Sequence, residues 1–185
     1  LIGVDDTTGG GTVYAYFGSP LGLPLEPAWT VTAGQTGALF GRTAAMDGDV
    51  NGDGYDDVVV GAPGYDYGQS NEGALFVYYG GPDGPSTTAD WMKDANQVSA
   101  ELGWSVDFAG DINNDGYDDV VAGAPSYDGS ATDSGGVFVW AGSSSGLASS
   151  TLWSRSDTPS SSKLGYTVAG LGDLSGDGLD DVGVT

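Results

Sequence analysis
The chain has 185 residues, 39% apolar and 11% aromatic, which is enough to fill the core of one domain and too apolar for a disordered chain. Its 26 acidic residues face only Arg42, Lys93, Arg155 and Lys163, and a formal charge of -22 repels phosphate backbones and anionic lipid heads, so neither nucleic acid nor membrane insertion is expected. There is no His and no Cys to act as imidazole base, thiol nucleophile or disulfide staple, and no enzyme is expected.

Taken in chain order, the strand-like run from Val13 to Phe17 is followed by Trp29, by Gly41, by an acidic segment at 49–57, and by Asp57-Val-Val-Val60. The same order returns as Ala74 to Tyr79, Trp91, Gly103, 111–119 and Asp119 to Ala122. It returns again as Val137 to Trp140, Trp153, Gly165, 173–181 and Asp181 to Val184. Gly18, Gly80 and Gly142 stand 62 residues apart, and the register holds without insertion to Asp181. In this register Leu1 aligns with Pro63, and Thr185 with Gly61.

The short Val-rich and aromatic runs, bounded by Gly, Pro, Asp and Ser, predict strands buried on both faces. Segments beginning at Gly41, Gly103 and Gly165, and segments around each repeated Trp, predict two more strands per copy. No helix of three turns is evident. An all-β chain of three 62-residue repeats, each a blade of four antiparallel strands, is the pattern of a β-propeller. The expected divisions are an N-terminal half-blade at 1–39, blades at 40–101 and 102–163, and a C-terminal half-blade at 164–185. The repeated Trp is expected to pack each blade, with sugar stacking as the alternative.

The acidic segments carry the chemistry. Oxygen side chains fall at positions 1, 3, 5 and 9: Asp49, Asn51, Asp53 and Asp57; Asp111, Asn113, Asp115 and Asp119; Asp173, Ser175, Asp177 and Asp181. Glycine at position 6 permits a sharp turn, and Tyr55, Tyr117 and Leu179 at position 7 can offer backbone carbonyls. Three carboxylates held about 5 Å apart repel by roughly 3 kcal/mol per pair at an effective dielectric near 20, a penalty that a hard divalent cation reverses. Up to three Ca2+ ions are therefore expected, one per loop. An EF-hand is rejected because position 12 is Val60, Ala122 or Val184 instead of Glu. Asp56, Asp118 and Asp180 at position 8 are expected to face outward. The third loop, with Ser175 in place of Asn, is expected to bind most weakly.

Phe40-Gly41, the Asp-rich loop and Gly61-Ala-Pro63 together resemble the FG-GAP repeat, the blade type of integrin α-subunit propellers. Leu102-Gly103 with Gly123-Ala-Pro125 repeats the pattern, and Leu164-Gly165 begins it again. The resemblance implies calcium in blade hairpin loops, an extracellular or cell-surface setting, and a scaffold for adhesion or protein recognition. The alternative function is a calcium-assisted, lectin-like carbohydrate module, suggested by Trp29, Trp91, Trp153, Trp104 and Tyr166. Arg42, Trp104 and Tyr166 differ at one repeat position, which makes them candidates for a specialised face, with ordinary variation in blade packing as the alternative. Three repeats leave a propeller ring open. The expected partners are a second copy, giving a homodimeric six-bladed ring, or further repeats of a longer parent chain from which this is a fragment or mature piece.

Overall fold
The computed structural model describes residues 2–4 and 9–185. It is all-β. Strands β1 (Ile2–Val4), β2 (Thr12–Ala15) and β3 (Trp29–Val31) form one antiparallel sheet. Strands β4 (Thr43–Gly48), β5 (Asp57–Ala62), β6 (Ala74–Tyr78) and β7 (Trp91–Asp94) form a four-stranded sheet in sequence order. Strands β8 (Ser105–Gly110), β9 (Asp119–Ala124), β10 (Gly136–Trp140) and β11 (Trp153–Ser156) repeat that sheet, and β12 (Val168–Gly172) pairs with β13 (Asp181–Val184). Both strands expected around Gly41 and the Trp of each copy are present, and each sheet is a meander of the propeller-blade type.

Strands β5 and β9 are buried on both faces because their sheets each lie between two others, whereas β13, with one packed neighbour, is half-buried to exposed and departs from the expectation. Every residue of β5 and β9 is buried. Val13, Ala15, Trp29 and Val31 of the first sheet meet Val58, Val60, Phe76 and Tyr78 of the second. Val59, Leu75 and Val77 on the other face of that sheet meet Val120, Ala122 and Trp140 of the third. A smaller cluster of Val121, Val137, Val139 and Val168 joins the third sheet to β12.

Two glycines show why the repeat is written as it is. Gly61 lies within β5, and a Cβ there would collide with the backbone carbonyl oxygen of Gly103 at the start of the next sheet. Gly103 itself has φ 85° and donates its N–H to the Gly123 carbonyl at 3.1 Å, as Gly41 does to Gly61 at 3.0 Å. The two Gly-containing motifs of each repeat are thus opposite halves of one backbone contact, which a side chain would hold apart. In β4, β8 and β12 the register shifts just before the acidic loop, between Ala45 and Gly48, Phe108 and Gly110, and Gly170 and Gly172. These bulges swing the chain out into the loop.

The aromatic positions divide by neighbour. Trp29 is 5% exposed and meets Tyr78 edge-on at 5.3 Å, and Trp91 meets Trp140 at 5.7 Å. Both are packing residues between successive blades. Trp153, the third of the series, is 43% exposed.

The 62-residue register needs one correction. Gly3 pairs with Val13 in the place that Gly61 takes opposite Leu75, so Gly3, which a constant 62-residue period would set level with Tyr65, corresponds to Gly61. A Cβ at Gly3 would strike the Gly41 carbonyl, just as one at Gly61 would strike Gly103. The first copy is therefore four residues shorter than the others ahead of β2; the expected alignment of Leu1 with Pro63 lies outside the described residues.

Candidate metal centre
Each acidic loop joins the first two strands of a blade and is folded around its first Asp. In the first loop Asp49 Oδ1 accepts the N–H groups of Gly52 (2.7 Å) and Asp53 (3.1 Å), and Oδ2 accepts that of Gly54 (2.7 Å). Asn51 Oδ1 accepts Asp53 N–H at 2.9 Å, and Asn51 Nδ2 donates to Asp53 Oδ2 at 3.0 Å. Gly54 has φ 87°, and Gly116 and Gly178 at the same position have 90° and 91°. That backbone turn strains any residue with a Cβ, so position 6 is glycine for local reasons alone. The second loop repeats the bonds from Asp115 to Asp111 (3.0 Å) and to Asn113 (2.9 Å), and from Gly116 to Asp111 (2.8 Å).

Positions 1, 3 and 5 are brought together, and position 9 is set behind them. Asp57 and Asp119 are completely buried. Asp57 accepts Val50 N–H at 2.9 Å on one oxygen and Gly80 N–H at 2.8 Å on the other, tying the loop to the end of β6. Asp119 does the same with Ile112 (3.2 Å) and Gly142 (2.9 Å). Among the described residues no group of three or more carboxylate, His or Cys side chains is gathered as a metal cage. The donors are all hard oxygens, however, and their charge is poorly tolerated: burial pushes the Asp57 carboxyl up to about 6, the Gly80 and Val50 N–H groups offset part of this, and Asp49 and Asp53 add to it. Asp119 is pushed up to about 6 by burial in the same way, with Asp115 and Asp111 adding. This donor chemistry fits Ca2+.

These two carboxyls make the metal-free protein sensitive to pH. A folded-state value of about 6 against 3.8 in the unfolded chain destabilises the fold fully above pH 6 and not at all below about 4. Roughly 3 kcal/mol for each group is recovered across that window. In chelator, the thermal midpoint is expected to rise as pH falls from 7.5 to 5, and a midpoint that falls over this interval would show that these carboxyls are already stabilised as anions.

The third loop is built more loosely. Asp173 holds Gly176, Asp177 and Gly178 as Asp49 holds Gly52, Asp53 and Gly54, at 2.7, 3.0 and 2.9 Å. Asp181 accepts from Ser175 N–H at 2.9 Å, one position later than in the other loops, and is only half-buried. Tyr55 and Leu179 are exposed, Tyr117 is half-buried, and a Cβ on Gly52 would lie 2.6 Å from the Tyr117 ring, so that ring covers the first loop.

Position 8 departs from expectation. Asp56 is exposed, but Asp118 Oδ2 accepts Asp49 N–H at 2.7 Å and Asp180 Oδ2 accepts Asp111 N–H at 2.9 Å. These carboxylates therefore bind each loop to the loop of the preceding blade and do not point away. Recurrence of Asp at position 8 in all three loops was the available signal, but nothing in one repeat indicates a partner 69 residues away. Sequence reasoning also missed Glu72, which is fully buried and accepts the N–H groups of Tyr67, Gly68 and Gln69 at 2.7, 2.6 and 2.9 Å. Burial works to raise its carboxyl, but those bonds outweigh it and hold the group below its ordinary value.

Arg42, Trp104 and Tyr166 do meet, one from each of three successive blades. The Arg42 guanidinium lies 3.7 Å over the Trp104 ring, and the Tyr166 ring is tilted against Trp104 at 5.3 Å.

Repeated four-stranded blades, each with an oxygen-rich loop between its first two strands, define a propeller-type repeat protein. The FG-GAP repeat family model matches residues 40–78 and 102–140. The chain is an FG-GAP repeat protein. It is 31% identical over 169 residues to integrin alpha-PS2 of Drosophila melanogaster, covering 84% of this chain and 12% of that protein. It is 36% identical over 147 residues to human integrin alpha-6, covering 78% and 12%, and 36% identical over 149 residues to phosphatidylinositol-glycan-specific phospholipase D of Bos taurus, covering 75% and 18%. The chain thus spans less than a fifth of the length of these relatives. Among the described residues no helix is long and apolar enough to cross a membrane.

Proposed function
We propose that the chain is a calcium-binding, integrin-like propeller module that acts as a non-catalytic scaffold for adhesion or protein recognition outside the cell. The observation that supports this most directly is the coupling of the acidic loops to one another through Asp118 and Asp180. An ion held in one loop would stiffen the hydrogen bonds that join neighbouring blades, so metal binding acts on the shape of the whole recognition surface. Asp49, Asn51 and Asp53, with the position 7 carbonyl and Asp57 behind them, would hold the first ion; the corresponding residues of the other loops would hold the second and third. The bound ion would supply charge neutralisation and directed coordination of oxygen ligands.

The lectin alternative loses part of its basis, because Trp29 and Trp91 are engaged between blades and Trp104 carries Arg42 on its ring. Catalysis is disfavoured by the absence of His and Cys and by the repetition of the acidic loop in three copies, where a catalytic centre is usually single. Calorimetric titration with Ca2+ is expected to show tight sites at loops 1 and 2 and a weaker one at loop 3. Asp49→Ala and Asp111→Ala are each expected to remove one tight site and weaken binding there at least 100-fold. Full stoichiometry in the double variant would refute the assignment.

A further inference from the structure
At the end of β5 away from its acidic loop, the connection 63–73 closes on another pair of carboxylates, Glu72 and Asp94. Glu72 is completely buried, and its Oε1 accepts the N–H groups of Tyr67, Gly68 and Gln69. Three such bonds favour the charged form. Its Oε2 is buried as well and has no hydrogen-bond partner. Asp94 ends β7 opposite Ala74 and acts on the Glu72 carboxyl at hydrogen-bond range. Two ionised carboxylates have no proton to offer one another. Among the described residues neither of them forms an ion pair with Lys or Arg. Lys93, on the same strand as Asp94, donates to the Ser149 carbonyl at 3.1 Å instead.

The neighbouring sheets fill this place with neutral groups. In the third sheet the two positions are Ser134 and Ser156, so close together that a Cβ on Gly129 would lie against both. Ser134 Oγ accepts Gly129 N–H at 3.3 Å, and Ser156 Oγ accepts Ser130 N–H at 3.1 Å and bonds Ser130 Oγ at 2.9 Å. In the first sheet the positions are Gly10 and Thr32, whose hydroxyl donates to the Gly11 carbonyl at 2.9 Å. The second sheet alone puts two negative charges here, one of them with an oxygen shut off from water and from every donor. A buried charge left in that state is strongly destabilising.

We infer that Glu72 Oε2 and the Asp94 carboxylate hold a Ca2+ ion at a site separate from the acidic loops. The ion supplies the positive charge that hydroxyl donors make unnecessary in the other sheets. Asp94 is only half-buried, so the ion enters from its side and water completes the coordination shell. Two carboxylates are few ligands for Ca2+, which puts the dissociation constant at about 10⁻⁴–10⁻³ M. The inference rests on Glu72 and Asp94 and does not depend on calcium in the acidic loops, which lie at the other end of β5.

Titration of the metal-free, isotope-labelled full chain with Ca2+, followed by amide NMR, tests it. In the wild type the amides of Tyr67, Gly68 and Gln69 are expected to shift and saturate in that concentration range. In Glu72→Gln the same transition is expected to be at least 10-fold weaker. The amide side chain keeps an acceptor for the three N–H groups and offers its NH2 to Asp94, so the variant should also unfold at a higher temperature than the wild type in chelator at pH 7.5. If Glu72→Gln does not fold by circular dichroism, Asp94→Ser, which copies the residue of the third sheet, takes its place and is expected to lose the same transition. Wild-type amides at 67–69 that do not respond to Ca2+, as for a pair that shares a proton, would overturn the site. So would a response that survives the substitution, or a Glu72→Gln midpoint below that of the wild type in chelator. The amides of Gly52 and Gly54 report the first acidic loop separately: if they alone fail to respond, the calcium reading of that loop falls and the inference at Glu72 stands.

Discussion

Removing calcium from the folded chain is expected to lower its thermal midpoint by about 10–30 °C. An ion present at 100 times its dissociation constant stabilises the folded state by about 2.7 kcal/mol, so two or three loops contribute roughly 5–8 kcal/mol. In a domain of this size each kcal/mol shifts the midpoint by about 2–4 °C. The effect is large because ionised Asp57 and Asp119 are fully buried beside other carboxylates, and without a cation they must either repel or take up protons. Differential scanning calorimetry at pH 7.5 with calcium and with chelator measures it. A midpoint that moves by less than about 2 °C would mean that the N–H groups of the loops already satisfy these carboxylates and that the metal has no structural role.

Gly61→Ala is expected to be strongly damaging for a single added methyl. The added Cβ would collide with the Gly103 carbonyl and lie 2.8 Å from Thr43 Oγ1, and both are held by the strands of two packed blades. Neither neighbour is the free end of a flexible side chain, so the seam between blades must open. Overpacking of this kind costs about 3 kcal/mol or more, a fall of roughly 6–12 °C in the midpoint. Gly81→Ala is the control, since its nearest contact is an ordinary 3.5 Å and its effect should stay within about 0.5 kcal/mol. Equal midpoints for the two variants would show that the blades slide past one another more freely than their backbone contacts imply.

Local chemistry was largely legible from residue order. Strand positions follow from Val-rich and aromatic runs, because a sheet packed on both faces cannot alternate with polar residues. The turn at Gly54 follows from its neighbours, and the grouping of Asp49, Asn51 and Asp53 follows from a loop that wraps its own first carboxylate. What was not legible depends on the spacing between blades. Asp118 looks like a surface carboxylate in its own repeat, and only the adjacent loop of the preceding blade shows that it binds Asp49 N–H. A constant 62-residue period carried back ahead of Gly18 takes no account of a shorter connection, whereas strand pairing sets Gly3 level with Gly61.

The amino-acid sequence by itself determined the repeat, the all-β blade, the oxygen-rich loops and the family, since each of these is written in residues that lie within nine positions of one another or recur at a fixed interval. Tertiary structure alone decided which carboxylates are buried, which glycines are backbone contacts between blades, that Trp29 and Trp91 are covered while Trp153 is open, and that Arg42, Trp104 and Tyr166 meet. The physical reason is that burial and contact across a seam are set by the neighbouring blade, some 60 residues away, so residues identical in local context acquire different roles according to what packs against them.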